Sequence, residues 1–139
     1  MLKALALLVA QFVLTVSSAF AAPGKCPVIN GKYSYIEHVD GVPTRRHSVT
    51  MFTRAERGVF SYTVDKNGTF QVADGVARPG TARGFDVTYR LTCLEGTLVF
   101  ETTIVGSDAK DVRKYAALSE KELLVETGNS GSSGVYVLQ

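Results

Sequence analysis

Apolar and polar side chains alternate along most of the chain after residue 30. In residues 84–106, every second residue from Phe85 to Cys93 is apolar or aromatic, and the residues between them are polar. A period of two residues is typical of a strand that buries one face. The pattern therefore predicts a strand here and not a helix.

The same stretch predicts a hairpin with a definite register. A tight turn at Glu95–Gly96 places the apolar residues of 87–93 opposite those of 98–104. The outer face then sets Arg90 opposite Glu101, a favourable cross-strand pair. The predicted inner pairs are Val87–Ile104, Tyr89–Thr102, Leu91–Phe100 and Cys93–Leu98.

A second hairpin is predicted around the Lys-Asn-Gly sequence that ends at Gly68. A three-residue loop with Gly68 in the left-handed conformation pairs Val64 with Phe70 and Tyr62 with Val72. A two-residue Asn-Gly turn would mix the two faces of the hairpin. We therefore expect the three-residue loop, because it keeps one face apolar.

The rest of the chain predicts further short strands and no helix. They cover residues 31–39, 47–55, 112–118, 122–127 and 135–139, whereas 76–84 is predicted as a loop that turns at Pro79–Gly80. About nine short strands joined by short turns predict an all-β, antiparallel up-and-down meander. Such a meander of eight to nine strands is expected to close into a small β-barrel, with a two-sheet β-sandwich as the alternative.

The first residues have the features of an export signal. Lys3 precedes an apolar run from Ala4 to Val16, and Ala19-Phe20-Ala21 fits a small-x-small cleavage site. We expect residues 1–21 to be a cleaved signal peptide, 22–30 an N-terminal extension and 31–139 the β-barrel domain. This predicts a periplasmic or secreted protein with no stable membrane anchor after cleavage.

Charge and cysteine content narrow the function classes. Without Lys3 the mature chain has 14 basic and 13 acidic residues, a net charge of +1. Such a balance provides no field to attract nucleic acid, so we expect no nucleic-acid partner. The two cysteines, Cys26 and Cys93, are an even count in a chain expected to be exported, which predicts a disulfide between them instead of two free thiols.

The chain resembles the lipocalin-like (calycin-type) domains of bacterial exported proteins. The resemblance rests on a first strand that opens with Gly31-Lys32-Tyr33, on the meander with its Asn-Gly hairpin, and on the ending KYAALSEKELLVETG…GVYVL. Tyr33 stands where lipocalins carry a tryptophan. The resemblance implies a barrel fold and, as a function, the binding of a small apolar ligand.

Aromatic and apolar residues on the predicted inner faces are candidates for a cavity wall. Tyrosine suits such a wall because it combines an apolar ring with a polar hydroxyl. Whether the interior holds a ligand or is filled by side chains depends on their volumes, and the sequence leaves both open. The candidates are Tyr33, Tyr35, Tyr62, Val87, Tyr89, Leu91, Phe100, Thr102 and Ile104.

Four arginines form the densest basic segment and are a candidate contact patch. They are Arg45, Arg46, Arg54 and Arg57. Either this region or the loop 76–84 would be the contact surface if the protein were an interaction module, such as an envelope assembly factor or an inhibitor of a secreted hydrolase. The partner would then be an envelope or secreted protein.

Candidate groups for catalysis or metal binding are few. His38 and His47 flank the Asp40–Gly41 turn, but their spacing matches no specific metal-binding pattern. No serine occurs in a nucleophile motif. We therefore expect no catalytic residue, no cofactor and no metal site, and a protein that is not an enzyme.

Overall fold

The chain forms ten β-strands in the computed structural model, which describes residues 26–128 and 132–139. Every pair of neighbouring strands is antiparallel, and the strand order across the single sheet is β4-β3-β2-β1-β10-β9-β8-β7-β6-β5. The strands are β1 (Gly31–Val39), β2 (Val42–Glu56), β3 (Val59–Thr63), β4 (Gln71–Val72), β5 (Arg78–Ala82), β6 (Phe85–Leu94), β7 (Thr97–Ile104), β8 (Lys110–Ala117), β9 (Glu122–Thr127) and β10 (Ser132–Leu138). The predicted all-β antiparallel meander is confirmed, with ten strands instead of about nine. The expected signal peptide, residues 1–21, lies outside the described residues.

Four of the strand connections are two-residue turns that end in glycine. In each turn both residues have positive φ, for example 51° at Glu95 and 81° at Gly96. This is the type I′ geometry, whose twist matches that of the strands it joins. The other three turns are Asp40–Gly41, Arg57–Gly58 and Arg83–Gly84.

The predicted register of residues 84–106 is confirmed at every pair. Cys93 lies opposite Leu98 and Val87 opposite Ile104, with Tyr89–Thr102 and Leu91–Phe100 between them. On the outer face Arg90 lies opposite Glu101, with 3.8 Å between Arg90 Nη1 and Glu101 Oε2.

The predicted register of the hairpin around residue 68 is wrong. Tyr62 lies opposite Gln71 instead of Val72, and φ at Gly68 is not positive. The cause lies before the Asn-Gly pair. The Thr63 hydroxyl donates to the Asp65 carbonyl oxygen at 2.8 Å, and the Gly68 amide donates to the same oxygen, also at 2.8 Å. These bonds end β3 early and build the turn around Asp65.

The predicted loop 76–84 is also wrong, because it contains the edge strand β5. Pro79 pairs with Thr88, and the turn lies at Arg83–Gly84 instead of Pro79–Gly80. A proline is compatible with an edge strand, where one side needs no backbone donor. A Cβ atom added at Gly80 would lie 3.1 Å from the Tyr89 ring, so glycine leaves room for that ring against β5.

The sheet curls back on itself. β3 and β6 are seven positions apart in the strand order, so a flat sheet would separate them by roughly 34 Å at about 4.8 Å per strand. The Tyr62 hydroxyl of β3 instead lies 3.9 Å from Cys93 Sγ of β6. One core therefore receives side chains from both halves of the sheet.

Strand pairing does not close the curled sheet, since β4 and β5 are its two edges in the described residues. The segment between these strands makes single backbone bonds to both sides of the gap. The Ala73 amide donates to Phe60 O of β3 at 2.9 Å, and the Gly75 amide donates to Leu91 O of β6 at 2.8 Å. The connection between the two edges thus follows the gap and bonds to both sides.

Residues 26–30 fill one end of the curled sheet. Cys26 and Cys93 form the predicted disulfide, and Ile29 is completely buried. Thr53 Oγ1 accepts from the Ile29 amide at 2.8 Å and donates to the Ile29 carbonyl at 2.9 Å. We call residues 26–30 the N-terminal plug, because side-chain packing, hydrogen bonds and a covalent bond hold them against the core.

Candidate functional site

A pocket of about 230 Å³ lies on the inner side of the curled sheet, beside the β3–β4 loop. Strands from both ends of the strand order contribute to its wall, so it exists only because the sheet curls. Its lining residues are Met51, Tyr62, Thr63, Val64, Thr69, Gln71, Leu91, Leu98, Phe100 and Tyr115.

The deep wall of the pocket is apolar. Leu98, Leu91, Tyr62, Tyr115 and Met51 are all buried, with Leu98 only 1% exposed. They come from five strands, each of which presents alternate residues to the inside. In the interior, the deep wall merges with the hydrophobic core.

The mouth of the pocket is formed by the β3–β4 loop and by β4. Val64 is 72% exposed, Thr69 is exposed and Gln71 is half-buried. The loop keeps its shape through the bonds around Asp65, which include one from the Asn67 amide to Asp65 Oδ1 at 3.0 Å. These bonds place one apolar and two polar side chains at the entrance.

Both tyrosines of the deep wall have a polar group of the protein beside the hydroxyl. The Tyr62 hydroxyl donates to the Pro27 carbonyl oxygen at 2.7 Å, and the Tyr115 hydroxyl lies beside the Arg113 side chain. Burial raises the pKa of Tyr62 well above its usual value, and burial also raises the pKa of Tyr115. The raised pKa keeps both hydroxyl groups protonated into alkaline solution, and the two buried rings present an apolar surface to the pocket.

Three of the nine candidate wall residues line this pocket: Tyr62, Leu91 and Phe100. Tyr33 and Val87 are buried elsewhere in the interior. Tyr35 stacks on Tyr136 with ring centroids 5.6 Å apart. Outside the pocket lining, Tyr89, Thr102 and Ile104 are half-buried.

Sequence reasoning missed seven lining residues. Leu98 and Tyr115 had a usable signal, because Leu98 is the predicted partner of Cys93 and Tyr115 lies in a predicted strand. The residues at the mouth had no such signal, because their positions depend on the conformation of the β3–β4 loop. The missed residues are Met51, Thr63, Val64, Thr69, Gln71, Leu98 and Tyr115.

The structure separates the four candidate arginines into two pairs. Arg45 and Arg54 lie near opposite ends of β2, which is one continuous strand of 15 residues. Nine residues of strand span roughly 30 Å. At the far end, the Arg54 guanidinium carbon lies 4.0 Å from the centroid of the Phe70 ring, and Arg57 is in the β2–β3 turn. Arg46 stays with Arg45, and both are exposed.

The two histidines do not converge on one site. His47 Nε2 lies 3.2 Å from Glu37 Oε2, whereas His38 Nδ1 lies 3.0 Å from the Ile36 carbonyl oxygen. Across residues 26–128 and 132–139, His, Cys, Asp and Glu side chains form no group of three or more that could hold a metal ion.

Comparisons with protein-family models, curated proteins and solved structures found no match to this chain. The disulfide indicates a non-reducing environment of the extracellular type. In the part of the chain that the structure describes, no helix has the length and apolarity needed to span a membrane.

Proposed function

We propose that this protein is a non-enzymatic, lipocalin-like module that binds a small, mainly apolar ligand in the pocket. The observation that carries the proposal is the lining itself: a buried apolar wall that opens to solvent past Val64 and Thr69. Concave, largely apolar pockets with a few polar groups are the usual form of small-molecule sites. After signal cleavage, the proposed location is the periplasm or the cell exterior.

The pocket volume limits the size of the ligand. Its 230 Å³ is about one and a half times the roughly 150 Å³ of an engineered cavity that binds benzene. By that proportion, the buried part of the ligand has about nine non-hydrogen atoms. For so few atoms we expect a dissociation constant on the order of 10–100 μM.

Propylbenzene, which has this size, is a suitable probe. The chain has two methionines, Met1 and Met51, so isotope-labelled methionine places one methyl signal in the pocket wall. We expect saturable shifts of the Met51 signal and the same dissociation constant by calorimetry. A Thr69→Trp variant, which covers the mouth, is expected to lose binding. In Thr81→Trp, a matched change on exposed β5, binding is expected to persist. An unshifted Met51 signal in buffer saturated with propylbenzene would refute the proposal.

A second candidate is a protein-interaction module, and Arg45 with Arg46 favours it. Both side chains are exposed, and neither forms an ion pair or hydrogen bond with a residue in the described ranges. Because successive residues of β2 project to opposite faces of the sheet, each of the two arginines offers a guanidinium to a carboxylate-rich partner surface on its own face. The test is capture of a stoichiometric partner from an envelope extract. The partner should be lost on Arg45→Glu with Arg46→Glu and retained on Arg57→Glu; equal capture by both variants would rule out this contact.

A further inference from the structure

The lining of the pocket is uncharged from the deep wall to the mouth. None of the ten lining residues carries a charged side chain. An ion that leaves water for such a wall loses its hydration and gains no ionic partner, which is strongly unfavourable. The lining therefore disfavours anions and cations alike.

The two arginines that lie two and three residues from a deep-wall residue, Arg113 and Arg54, both have partners of their own. Arg113, two residues from Tyr115, donates from Nε to Asp111 Oδ2 at 3.0 Å. Arg54, three residues from Met51, lies over the Phe70 ring. Neither arginine lines the pocket, so a carboxylate in the pocket meets no lining guanidinium and would have to compete with Asp111 for Arg113.

Polar groups deep in the pocket are also occupied, whereas those at the mouth are not. The Tyr62 hydroxyl donates to Pro27 O, the Tyr115 hydroxyl lies beside the Arg113 side chain, and the Thr63 hydroxyl donates to the Asp65 carbonyl oxygen. Gln71 and Thr69 line the pocket, and neither the Gln71 carboxamide nor the Thr69 hydroxyl has a hydrogen bond to a described residue. Each of these two groups can both donate and accept.

We infer that the pocket selects uncharged amphiphiles, with the apolar part against the deep wall and a hydroxyl, carbonyl or amide group at Gln71 and Thr69. This inference rests on the proposed function and adds the chemical class of the ligand. A carboxamide pairs with neutral donors and acceptors without the cost of burying an ion. Gln71 is the specificity-determining residue in this arrangement.

Four matched compounds test the inference at neutral pH: phenylpropanol, phenylpropanoate, phenylpropylammonium and propylbenzene. Their dissociation constants come from calorimetry and from the Met51 signal. We expect phenylpropanol to bind about three- to tenfold more tightly than propylbenzene, the gain of one net hydrogen bond. Both ions are expected to bind at least about thirtyfold more weakly than the alcohol.

The Gln71→Ala variant tests the polar contact at the pocket mouth separately from the apolar contacts of the deep wall. It should bring the ratio of phenylpropanol affinity to propylbenzene affinity to about one, whereas a merely unfolded or loosened pocket would weaken both compounds and keep their ratio. Gln139→Ala, a change at an exposed glutamine outside the pocket, is the matched control and should change neither.

The outcomes separate the two proposals. If either ion binds as tightly as the alcohol, or if Gln71→Ala leaves the preference for the alcohol intact, the inference fails while ligand binding stands. If none of the four compounds shifts the Met51 signal, the proposed function fails with it.

Discussion

The hydroxyl of Tyr62 donates a 2.7 Å hydrogen bond to the carbonyl oxygen of Pro27, 35 residues earlier in the chain. The same side chain lines the pocket and lies 3.9 Å from Cys93 Sγ. One residue thus contacts the N-terminal plug, the disulfide and the ligand site. The plug and the pocket therefore share a wall, although they are distant in sequence.

Removal of this hydroxyl is expected to weaken the plug and to spare the pocket. In Tyr62→Phe the Pro27 carbonyl loses its donor, which should lower the free energy of unfolding by about 1–2 kcal/mol. Urea denaturation measures this loss, and propylbenzene affinity should stay within about twofold because the ring remains. Tyr89→Phe is the control, since the Tyr89 hydroxyl has no hydrogen bond to a described residue. Equal destabilisation by both variants would contradict the role of the Tyr62–Pro27 bond.

The disulfide is expected to contribute a large part of the stability. Cys26 and Cys93 are 67 residues apart, and closing a loop of that length in the unfolded chain corresponds to about 4 kcal/mol on the chain-entropy model. We expect the Cys26→Ala/Cys93→Ala variant to show a comparable loss in urea denaturation. Reduction of the natural protein should give the same shift, whereas a reducing agent should leave the variant unchanged. A variant as stable as the oxidised protein would contradict this expectation.

The turn between β6 and β7 offers a stabilising change. Glu95 has a φ of 51°, a conformation that asparagine adopts more readily than glutamate. Glu95→Asn is therefore expected to raise the free energy of unfolding by about 0.5 kcal/mol, and Gly96→Ala to lower it by about 1 kcal/mol. Thermal denaturation of both variants measures the pair of effects. The prediction fails if the two changes shift the midpoint in the same direction.

Stability is expected to fall in alkali. Burial raises the pKa of Tyr62 and of Tyr115 above the tyrosine value of about 10 in the unfolded chain. Above that pH the unfolded chain loses tyrosine protons that the folded chain keeps, so the free energy of unfolding decreases as the pH rises. Urea denaturation between about pH 8 and about pH 11 measures the decrease. In Tyr62→Phe the slope should be shallower, and an unchanged slope would exclude Tyr62 as a cause.

The sequence predicted the strand pairs in which the inner face and the outer face of the sheet require the same register. In residues 84–106 the inner apolar residues and the outer Arg90–Glu101 pair require the same register, so no other alignment fits. The register of the β3–β4 hairpin was predicted wrongly because the turn forms around Asp65, before the Asn-Gly pair. The carbonyl oxygen of Asp65 accepts from the Thr63 hydroxyl and from the Gly68 amide. The edge strand β5 was not predicted because Pro79 and Gly80 are residues that favour turns. In the structure, pairing with β6 determines their conformation.

The candidate site was less predictable than the strands. Alternation places Tyr62, Leu91 and Phe100 on inner faces, and all three line the pocket. It cannot state which inner residues lie near one another after the sheet curls. Met51 and Tyr115 belong to strands four positions apart in the sheet and still share a wall. Such a contact depends on the curvature of the whole sheet, which no local pattern specifies.

The disulfide also bears on how fast the protein can fold. Among the described strand pairings, β1 with β10 alone is not a hairpin, and it joins Tyr33 to Leu138 across 105 residues. Tyr33 is seven residues from Cys26 and Leu138 is 45 from Cys93, so an early disulfide shortens the path between the two strands to about half. Halving a loop lowers its closure cost by roughly 0.6 kcal/mol, which corresponds to a nearly threefold faster search for the final pairing. A disulfide between Cys26 and Cys93 that forms before β10 pairs with β1 would therefore speed folding, in addition to stabilising the folded protein.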